Sequence, residues 1–164
     1  MIPHVSTPER AKELVQAVKF PPLGDRGLDG SGMDSEFYFA GGASYTEDAN
    51  RETFLVVQIE TPEAIANVDA IAAVEGVDGL FMGPGDLGLR IQKLNPGFTL
   101  DEARAKLAAA CAKHGKAWGL PAADESQLKQ FAEEGAQILA HGGEFMALKA
   151  MLENASGMFD RAVE

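Results

Sequence analysis

The chain has 164 residues and a formal net charge of −11, with 46% hydrophobic and 24% charged residues. This size and composition predict one soluble globular domain, and the acidic balance argues against nucleic acid and anionic membranes as partners. A single cysteine excludes an intrachain disulfide. The sequence contains neither an apolar run of the ~20 residues that span a membrane nor a signal-peptide pattern, so we expect a cytoplasmic protein.

Two strand–helix junctions of the same design come first along the chain. Residues 1–5 are a short apolar run and residues 54–59 are a β-rich run, and Thr-Pro-Glu follows shortly after each. Threonine is a favourable N-cap, proline fits the first helical position, and glutamate in the first turn complements the helix dipole. The pattern predicts a strand and a helix at each place, with the helices ending near residues 19 and 74.

A third strand is predicted over residues 77–82, directly before Gly83-Pro84-Gly85-Asp86. Its helix is predicted only from Thr99, which forms a capping box with Glu102. One face of this helix carries the residues Ala103, Leu107, Ala110, Cys111 and His114. We expect Cys111 to be inert packing on this face.

Two more units complete the chain. Residues 116–120 predict a strand, and the helix after it begins near Asp124. Residues 137–140 predict the last strand, and a helix follows over about residues 144–163. Strands and helices therefore alternate along most of the chain.

Alternation of five short strands with helices indicates parallel βαβ units, and the lack of regular polar alternation indicates strands covered on both faces. A doubly wound sheet and a (β/α)8 barrel both have this pattern. Polar and glycine residues after the strands, and the short lead-in to the first strand, favour a barrel. A full barrel has eight units in ~250 residues. We therefore expect an α/β partial barrel of about five units, one domain over residues 1–164, whose open sheet edges favour self-association.

Residues 23–52 interrupt the alternation. They are rich in Gly, Asp and Ser and contain the aromatic group Phe37-Tyr38-Phe39. The segment is too long for a simple connection. We predict a loop-rich insertion with a little helix, folded over the strand ends; the alternative is a mobile insertion without a role.

Two carboxylates follow neighbouring predicted strands. Glu60 ends the second strand, and Asp86 follows the third, one βα unit later. Because consecutive parallel strands usually lie side by side, ~4.8 Å apart, the two side chains can hold one hard cation together with water or substrate. This donor set suits Mg²⁺ or Mn²⁺, with Co²⁺ as a third candidate. The alternative is that Glu60 is a solvated residue beside a helix start and Asp86 a cap in a glycine turn.

Neighbouring residues are candidates for substrate binding. Gln58 faces the same side of its strand as Glu60, although a hydrogen-bonded barrel residue is the commoner role of such a glutamine. Gly83 and Gly85 allow main-chain N–H groups to converge on an anion such as a carboxylate. The histidines are weaker candidates for catalysis. His4 ends the first strand, His114 lies in the last turn of a helix as a dipole partner or core residue, and His141 follows the last strand.

Three motifs occur in order: FPPLGDRG at residues 20–27, VQIET at residues 57–61 and GVDGLFMGPGDL at residues 76–87. Together they resemble the HpcH/HpaI aldolase family, which is related to citrate lyase β subunits and macrophomate synthase. The resemblance extends from Met1 to about Leu148. It implies a (β/α)8 TIM barrel of the phosphoenolpyruvate/pyruvate type and a homo-oligomer.

The resemblance also implies roles for individual residues. Glu60 and Asp86 match metal ligands, and Gln58 matches a glutamine that contacts pyruvate. Main-chain amides at Gly85 and Asp86 match those that hold the pyruvate carboxylate. Pro121 matches part of the wall that contacts the aldehyde.

The implied activity is that of a class II, metal-dependent aldehyde-lyase. A divalent ion chelates pyruvate and stabilises its enolate, which adds to an aldehyde; the reverse reaction cleaves a 4-hydroxy-2-oxo acid. The family's general-base histidine and a substrate-binding arginine match nothing in this chain, so the resemblance leaves open whether the chain is active alone. Two alternatives remain. One is a non-catalytic module that binds a metal and a 2-oxo acid. The other is a CoA-ester lyase of the citrate lyase β type, which ranks last because the sequence has no basic patch for the CoA phosphates.

Overall fold

Four parallel strands form one sheet in a computed structural model that describes residues 1–29, 31–37, 39 and 44–163, with the backbone alone at residue 34. The strands are β1 (Val56–Ile59), β2 (Gly79–Met82), β3 (Ala117–Pro121) and β4 (Ile138–Ala140). They lie in the order β1-β2-β3-β4, so each pairs with its neighbour in sequence. Sequential parallel pairing is the arrangement found in a (β/α)8 barrel, and the predicted parallel α/β architecture is confirmed.

The first predicted strand is a single bridge beside β1. Ile2 pairs in parallel with Val57. Its N–H donates to the Val56 carbonyl at 2.9 Å, and its carbonyl accepts from the Gln58 N–H at 2.8 Å. The described residues therefore contain four strands and one bridge where the sequence predicted five strands, all in the expected parallel order.

Eight α-helices and one short 3₁₀ helix accompany the sheet in the described part of the chain. The helices are α1 (Pro8–Val18), α2 (Tyr45–Glu52), α3 (Pro62–Ala66), α4 (Val68–Ala72), α5 (Pro84–Leu94), α6 (Leu100–His114), α7 (Glu125–Glu133) and α8 (Glu144–Val163), and the 3₁₀ helix is Met33–Ser35. The single helix predicted between β1 and β2 is divided at Asn67 into α3 and α4.

The prediction that the helix after β2 is delayed to Thr99 is wrong. Helix α5 begins at Pro84, directly after the strand, and ends where Asn95 adopts a left-handed conformation with φ of 44°. Proline is favourable in the first turn, and Leu87 is fully buried. These two stabilising features outweigh the low helix propensity of the glycines.

The predicted helix starts at the remaining junctions are confirmed by their caps. The Thr7 hydroxyl accepts from the Arg10 N–H at 3.2 Å, and the Thr61 hydroxyl accepts from the Ala64 N–H at 3.0 Å. Thr99 forms the predicted capping box. These threonine caps determine the residue at which each of these helices begins.

The hydrophobic core lies between the sheet and the helices α1, α3, α4 and α6. Val57, Leu80 and Leu107 are fully buried in it. Cys111 is buried as well, and desolvation raises the pKa of its thiol to about 12. A thiol that stays protonated is a poor nucleophile, which agrees with the predicted packing role.

A buried lysine and an asparagine attach α2 to the end of α1. The Asn50 side chain accepts from the Phe20 N–H at 2.7 Å and donates to the Phe20 carbonyl at 2.9 Å. Lys19 is buried and donates to the main-chain carbonyls of Asn50 and Thr53. The guanidinium of Arg26, from the first family motif, lies 4.5 Å from the centre of the Phe20 ring, a favourable cation–π contact.

These contacts lie close to the point where β1 begins. The described part of residues 23–52 contains the 3₁₀ helix and α2, as the prediction of a loop with a little helix requires. Tyr38 of the aromatic group lies outside the described residues. The position of the insertion over the strand ends stays a prediction.

Helix α8 is exposed along its length. Its exposed apolar side chains are Phe145, Met146, Leu148, Met151, Leu152, Met158, Phe159 and Val163. Within the described residues, no helix has the length and apolar character needed to cross a membrane.

Candidate functional site

The ends of β1 and β2 bring Glu60 and the glycine turn together. Ile59 is paired with Met82, the last residue of β2. The Gly83 N–H donates to the Ile59 carbonyl at 3.1 Å, which extends the pairing by one step. Glu60 and Gly83 therefore lie side by side at the carboxyl edge of the sheet, where ligand sites of parallel α/β folds are built.

Glu60 is a buried carboxylate, with 5% of its surface exposed. Its Oε1 accepts from the main-chain N–H of His4 at 2.8 Å, and the His4 Nδ1 lies 3.2 Å from the same oxygen. Among the described residues, no lysine or arginine pairs with it. A buried charge is costly without a compensating partner, so this carboxylate is suited to a cation.

Gly83 permits the close approach of the two strand ends. A Cβ atom added at this glycine would lie 2.7 Å from Oε2 and 2.9 Å from Cβ of Glu60. Both distances are shorter than van der Waals contact, so any larger residue would displace the carboxylate. The glycine is required here by space, since its φ of −93° is open to any residue.

Asp86 lies in the first turn of α5, three residues beyond Gly83. Its side chain is 52% exposed, and its Oδ1 accepts from the Arg90 Nη1 at 2.7 Å. Leu87 is the first residue of this helix whose N–H bonds back to the turn, to the Gly83 carbonyl at 3.0 Å. The N–H groups of Gly85 and Asp86 precede it and lack helical partners, as at any helix start. Binding of an anion by these amides stays a prediction.

Gln58 lies on β1, and Glu60 follows two residues later, one position beyond the end of the strand. Its main chain is committed to the sheet: the N–H donates to Ile2, and the carbonyl accepts from the Val5 N–H at 3.3 Å. Its side chain is half-buried. That the side chains of Gln58 and Glu60 face one binding site stays a prediction.

Pro121 ends β3 and is exposed. It shares a pocket of about 360 Å³ with Pro84, between the ends of β2 and β3 and the helices α6 and α7.

His141 lies just beyond β4, where its Nδ1 is 2.8 Å from the Ala122 carbonyl. His114 lies at the end of α6, 3.1 Å from a carboxylate oxygen of Asp69. His114 therefore contacts a carboxylate, and His141 contacts a main-chain carbonyl.

The chemistry of the Glu60 and Asp86 carboxylates suits a divalent cation, and their sharing of one ion stays a prediction. Both are carboxylates, and Mg²⁺ characteristically takes one or two carboxylates and completes its shell with water and substrate. The described residues contain no group of three or more His, Cys, Asp or Glu side chains arranged around a common point. Protein ligands to such an ion would therefore be few, and Asp86 would have to share or leave its contact with Arg90.

Two contacts of the site were not predicted from the sequence. Arg90 stands four residues after Asp86, a spacing that pairs opposite charges on a helix, and this pattern could have been found once α5 was recognised. The main-chain contact of His4 with Glu60 depends on a left-handed backbone at His4, with φ of 57°, for which the sequence carries no signal.

The family model described as HpcH/HpaI aldolase/citrate lyase matches residues 1–150. The chain belongs to this family. The match covers both carboxylates, the glycine turn and all four strands of the sheet. The resemblance drawn from the three motifs is thereby confirmed.

Relatives in this family include aldolases of named substrates. The chain is 38% identical over 148 residues to a 4-hydroxy-2-oxovalerate aldolase from Novosphingobium aromaticivorans, covering 87% of this chain and 54% of the relative. It is 36% identical over 165 residues to a hydroxypyruvate/pyruvate aldolase from Pseudomonas aeruginosa, covering 97% of this chain and 60% of the relative. The chain thus spans little more than half the length of these relatives.

Solved structures confirm the barrel fold. An HpcH/HpaI aldolase from Desulfitobacterium hafniense DCB-2 superposes with a TM-score of 0.86 at 30% identity, covering 96% of this chain and 62% of that one. Macrophomate synthase superposes with a TM-score of 0.79 at 22% identity, covering 97% and 57% respectively, and shows the shared fold alone. The four-stranded parallel sheet is therefore part of a TIM barrel.

Proposed function

We propose that this chain carries the metal- and pyruvate-binding half of a class II aldolase site. The reaction joins pyruvate and an aldehyde, or cleaves a 4-hydroxy-2-oxo acid. The observation that carries the proposal is the buried Glu60 carboxylate beside the Gly83 turn. The activities named for the relatives, on 4-hydroxy-2-oxovalerate and on hydroxypyruvate or pyruvate, support this substrate class.

Glu60 and Asp86 would hold Mg²⁺ or Mn²⁺, with Co²⁺ as a further candidate. When bound, the cation supplies Lewis-acid stabilisation of negative charge on a pyruvate oxygen and a template for orienting the substrate. Glu60 enters this role with one oxygen already fixed by His4. Asp86 forms an exposed salt bridge with Arg90. Such a pair is weak in water, so a cation can replace Arg90 as the partner of Asp86.

The chain's other site residues would bind the organic substrate. The N–H groups of Gly85 and Asp86 would hold a carboxylate at the start of α5, since helix starts favour anions. Gln58 would donate its amide to a pyruvate oxygen from the neighbouring strand. Pro121 would form an apolar part of the wall on the aldehyde side.

A second candidate is a module that binds a metal and a 2-oxo acid without catalysis. It is favoured by the environment of the histidines. His4 contacts Glu60, while His114 and His141 contact groups on other elements. A general base must lie within hydrogen-bond reach of the proton that it removes. His114 and His141 are engaged elsewhere, and the family's general-base histidine matches nothing in this chain.

One experiment separates the two candidates. The protein is incubated with pyruvate and Mn²⁺ in D₂O, the metal is removed with a chelator, and loss of the methyl proton signal is followed by NMR. Exchange that disappears in Glu60→Ala and persists in the control Glu63→Ala supports an aldolase. Metal-dependent pyruvate binding without exchange supports the binding module, and the absence of both contradicts the proposal.

We also propose that copies of the chain associate. Strand β4 lies at an edge of the sheet, and the exposed apolar side chains of α8 form a large unpaired surface, which is typical of an interaction site. Light scattering of the purified protein is expected to give a mass above that of one chain. A monodisperse monomer would contradict the association. We also propose that the protein is cytoplasmic, as its sequence predicts.

A further inference from the structure

The segment before β1 contains a one-residue irregularity that faces Glu60. In a regular parallel ladder, the residue two positions after Ile2 donates its N–H to the Gln58 carbonyl. Here that residue is His4, but the Gln58 carbonyl accepts from Val5 instead, at 3.3 Å. One extra residue therefore stands in the segment, as in a β-bulge.

Because of the extra residue, the His4 N–H does not take part in the ladder and is available to the Glu60 carboxylate. The His4 N–H donates to Glu60 Oε1 at 2.8 Å. His4 has φ of 57°, a left-handed conformation that residues other than glycine seldom adopt. Such conformations persist where the surrounding structure over-determines them, and they are concentrated at functional sites.

The carboxylate is confined on its other side by Gly83. Oε2 of Glu60 approaches this glycine so closely that an added Cβ atom would lie 2.7 Å away. The His4 amide on one side and the Gly83 backbone on the other restrict where the two oxygens can lie. The imidazole adds a second contact to Oε1 at 3.2 Å, although 62% of the His4 side chain is exposed.

We propose that the bulged, left-handed backbone of His4 is a positioning group for Glu60: its N–H fixes Oε1 and so orients the carboxylate for a divalent cation. This inference rests on the proposed role of Glu60 as a cation ligand. The backbone amide is the acting group, and the imidazole ring is dispensable. The role of His4 is thus separate from that of a general base or of a metal ligand.

Two variants that both remove the ring distinguish backbone from side chain. Glycine adopts φ near 57° readily, so His4→Gly keeps the amide in place. Valine is β-branched and strongly disfavours that conformation, so His4→Val moves the amide away. Binding of Mn²⁺ alone is measured by the electron paramagnetic resonance signal of the free ion. We expect His4→Gly to stay within about threefold of the native Kd and His4→Val to weaken binding at least about tenfold.

Two results of this titration would overturn the inference. Equal losses in His4→Gly and His4→Val would show that the imidazole is the acting group. Unchanged affinity in both would show that Glu60 needs no positioning from this segment. Thermal unfolding of each variant verifies that it is folded at the temperature of the titration.

A second measurement needs no metal. The amide hydrogen of His4 is followed by exchange with D₂O in the native chain and in Glu60→Ala. We expect protection in the native chain that falls at least about tenfold in the variant, since the carboxylate is its acceptor. Equal exchange in the two proteins contradicts the inference. If the protection behaves as expected while the native chain binds no Mn²⁺, the proposed function fails and the positioning contact stands.

Discussion

Replacing Gly83 by alanine tests whether the Glu60 carboxylate is held in one place. The new Cβ would lie 2.7 Å from Oε2 and 2.9 Å from Cβ of Glu60. Glu60 Cβ lies next to the backbone, so rotation of the side chain cannot relieve both contacts. Overpacking of a buried position costs roughly 1–3 kcal/mol. We expect Gly83→Ala to lower the free energy of unfolding by that amount, or the Tm by about 2 to 12 °C for a chain of this size.

The matched control is Gly88→Ala in the same helix. Its nearest contact would be the Leu100 Cδ1 at 3.4 Å, an ordinary packing distance. Alanine has a higher helix propensity than glycine by about 0.5–1 kcal/mol, so this variant is expected to match the native chain or exceed it in stability. Both variants are measured by circular dichroism melting.

Affinity for Mn²⁺ completes this test. The displaced carboxylate should bind the ion at least about tenfold more weakly in Gly83→Ala, and the control should bind it as the native chain does. A Gly83→Ala protein that melts and binds Mn²⁺ like the native chain would refute the idea that Glu60 is confined between β1 and β2.

Three further predictions concern single side chains. Cys111 should not react with a thiol reagent at pH 8 until the chain is unfolded, because burial holds its thiol pKa at about 12; rapid reaction of the native protein would contradict its packing role. Arg90→Gln should strengthen Mn²⁺ binding severalfold by freeing Asp86, with a change in stability below about 0.5 kcal/mol, as for other exposed helix pairs; weaker binding would show that the pair orders Asp86 for the ion. The pKa of Glu102 is lowered by hydrogen bonds from the Thr99 backbone and side chain. Its folded pKa therefore lies below the unfolded value, so the contribution to stability is present above the unfolded pKa and is lost as pH falls through the folded pKa. Urea unfolding of Glu102→Gln should accordingly converge with that of the native chain on acidification, and a difference independent of pH would contradict the capping role.

The features predicted correctly from the sequence are those that short-range chemistry determines. Thr7, Thr61 and Thr99 each cap a helix at the position where a threonine precedes a favourable first turn. The order of strands follows from their spacing, because consecutive βα units place parallel strands side by side. The adjacency of Glu60 and the Gly83 turn is a direct consequence of that order.

A local pattern does not predict the start of α5, because the glycines after β2 favour a loop. Glycine disfavours a helix in isolation, but proline at the start and burial of Leu87 act in the opposite direction. Burial depends on the neighbouring helices, so its contribution is invisible in a local pattern. The division at Asn67 likewise has no marker in the propensities of its neighbours.

The conformation of Glu60 shows most directly why a site is harder to predict than the elements that carry it. The carboxylate belongs to the end of β1, its hydrogen-bond donor lies 56 residues earlier at His4, and the atom that confines it lies on β2 at Gly83. Each segment looks ordinary alone: an apolar run, a strand end and a glycine turn. Only the parallel pairing of all three converts a strand-end glutamate into a fixed, buried carboxylate. A substitution that moves the backbone at His4, or one that adds a side chain at Gly83, should therefore disturb cation binding through Glu60, even though Glu60 alone supplies the ligand.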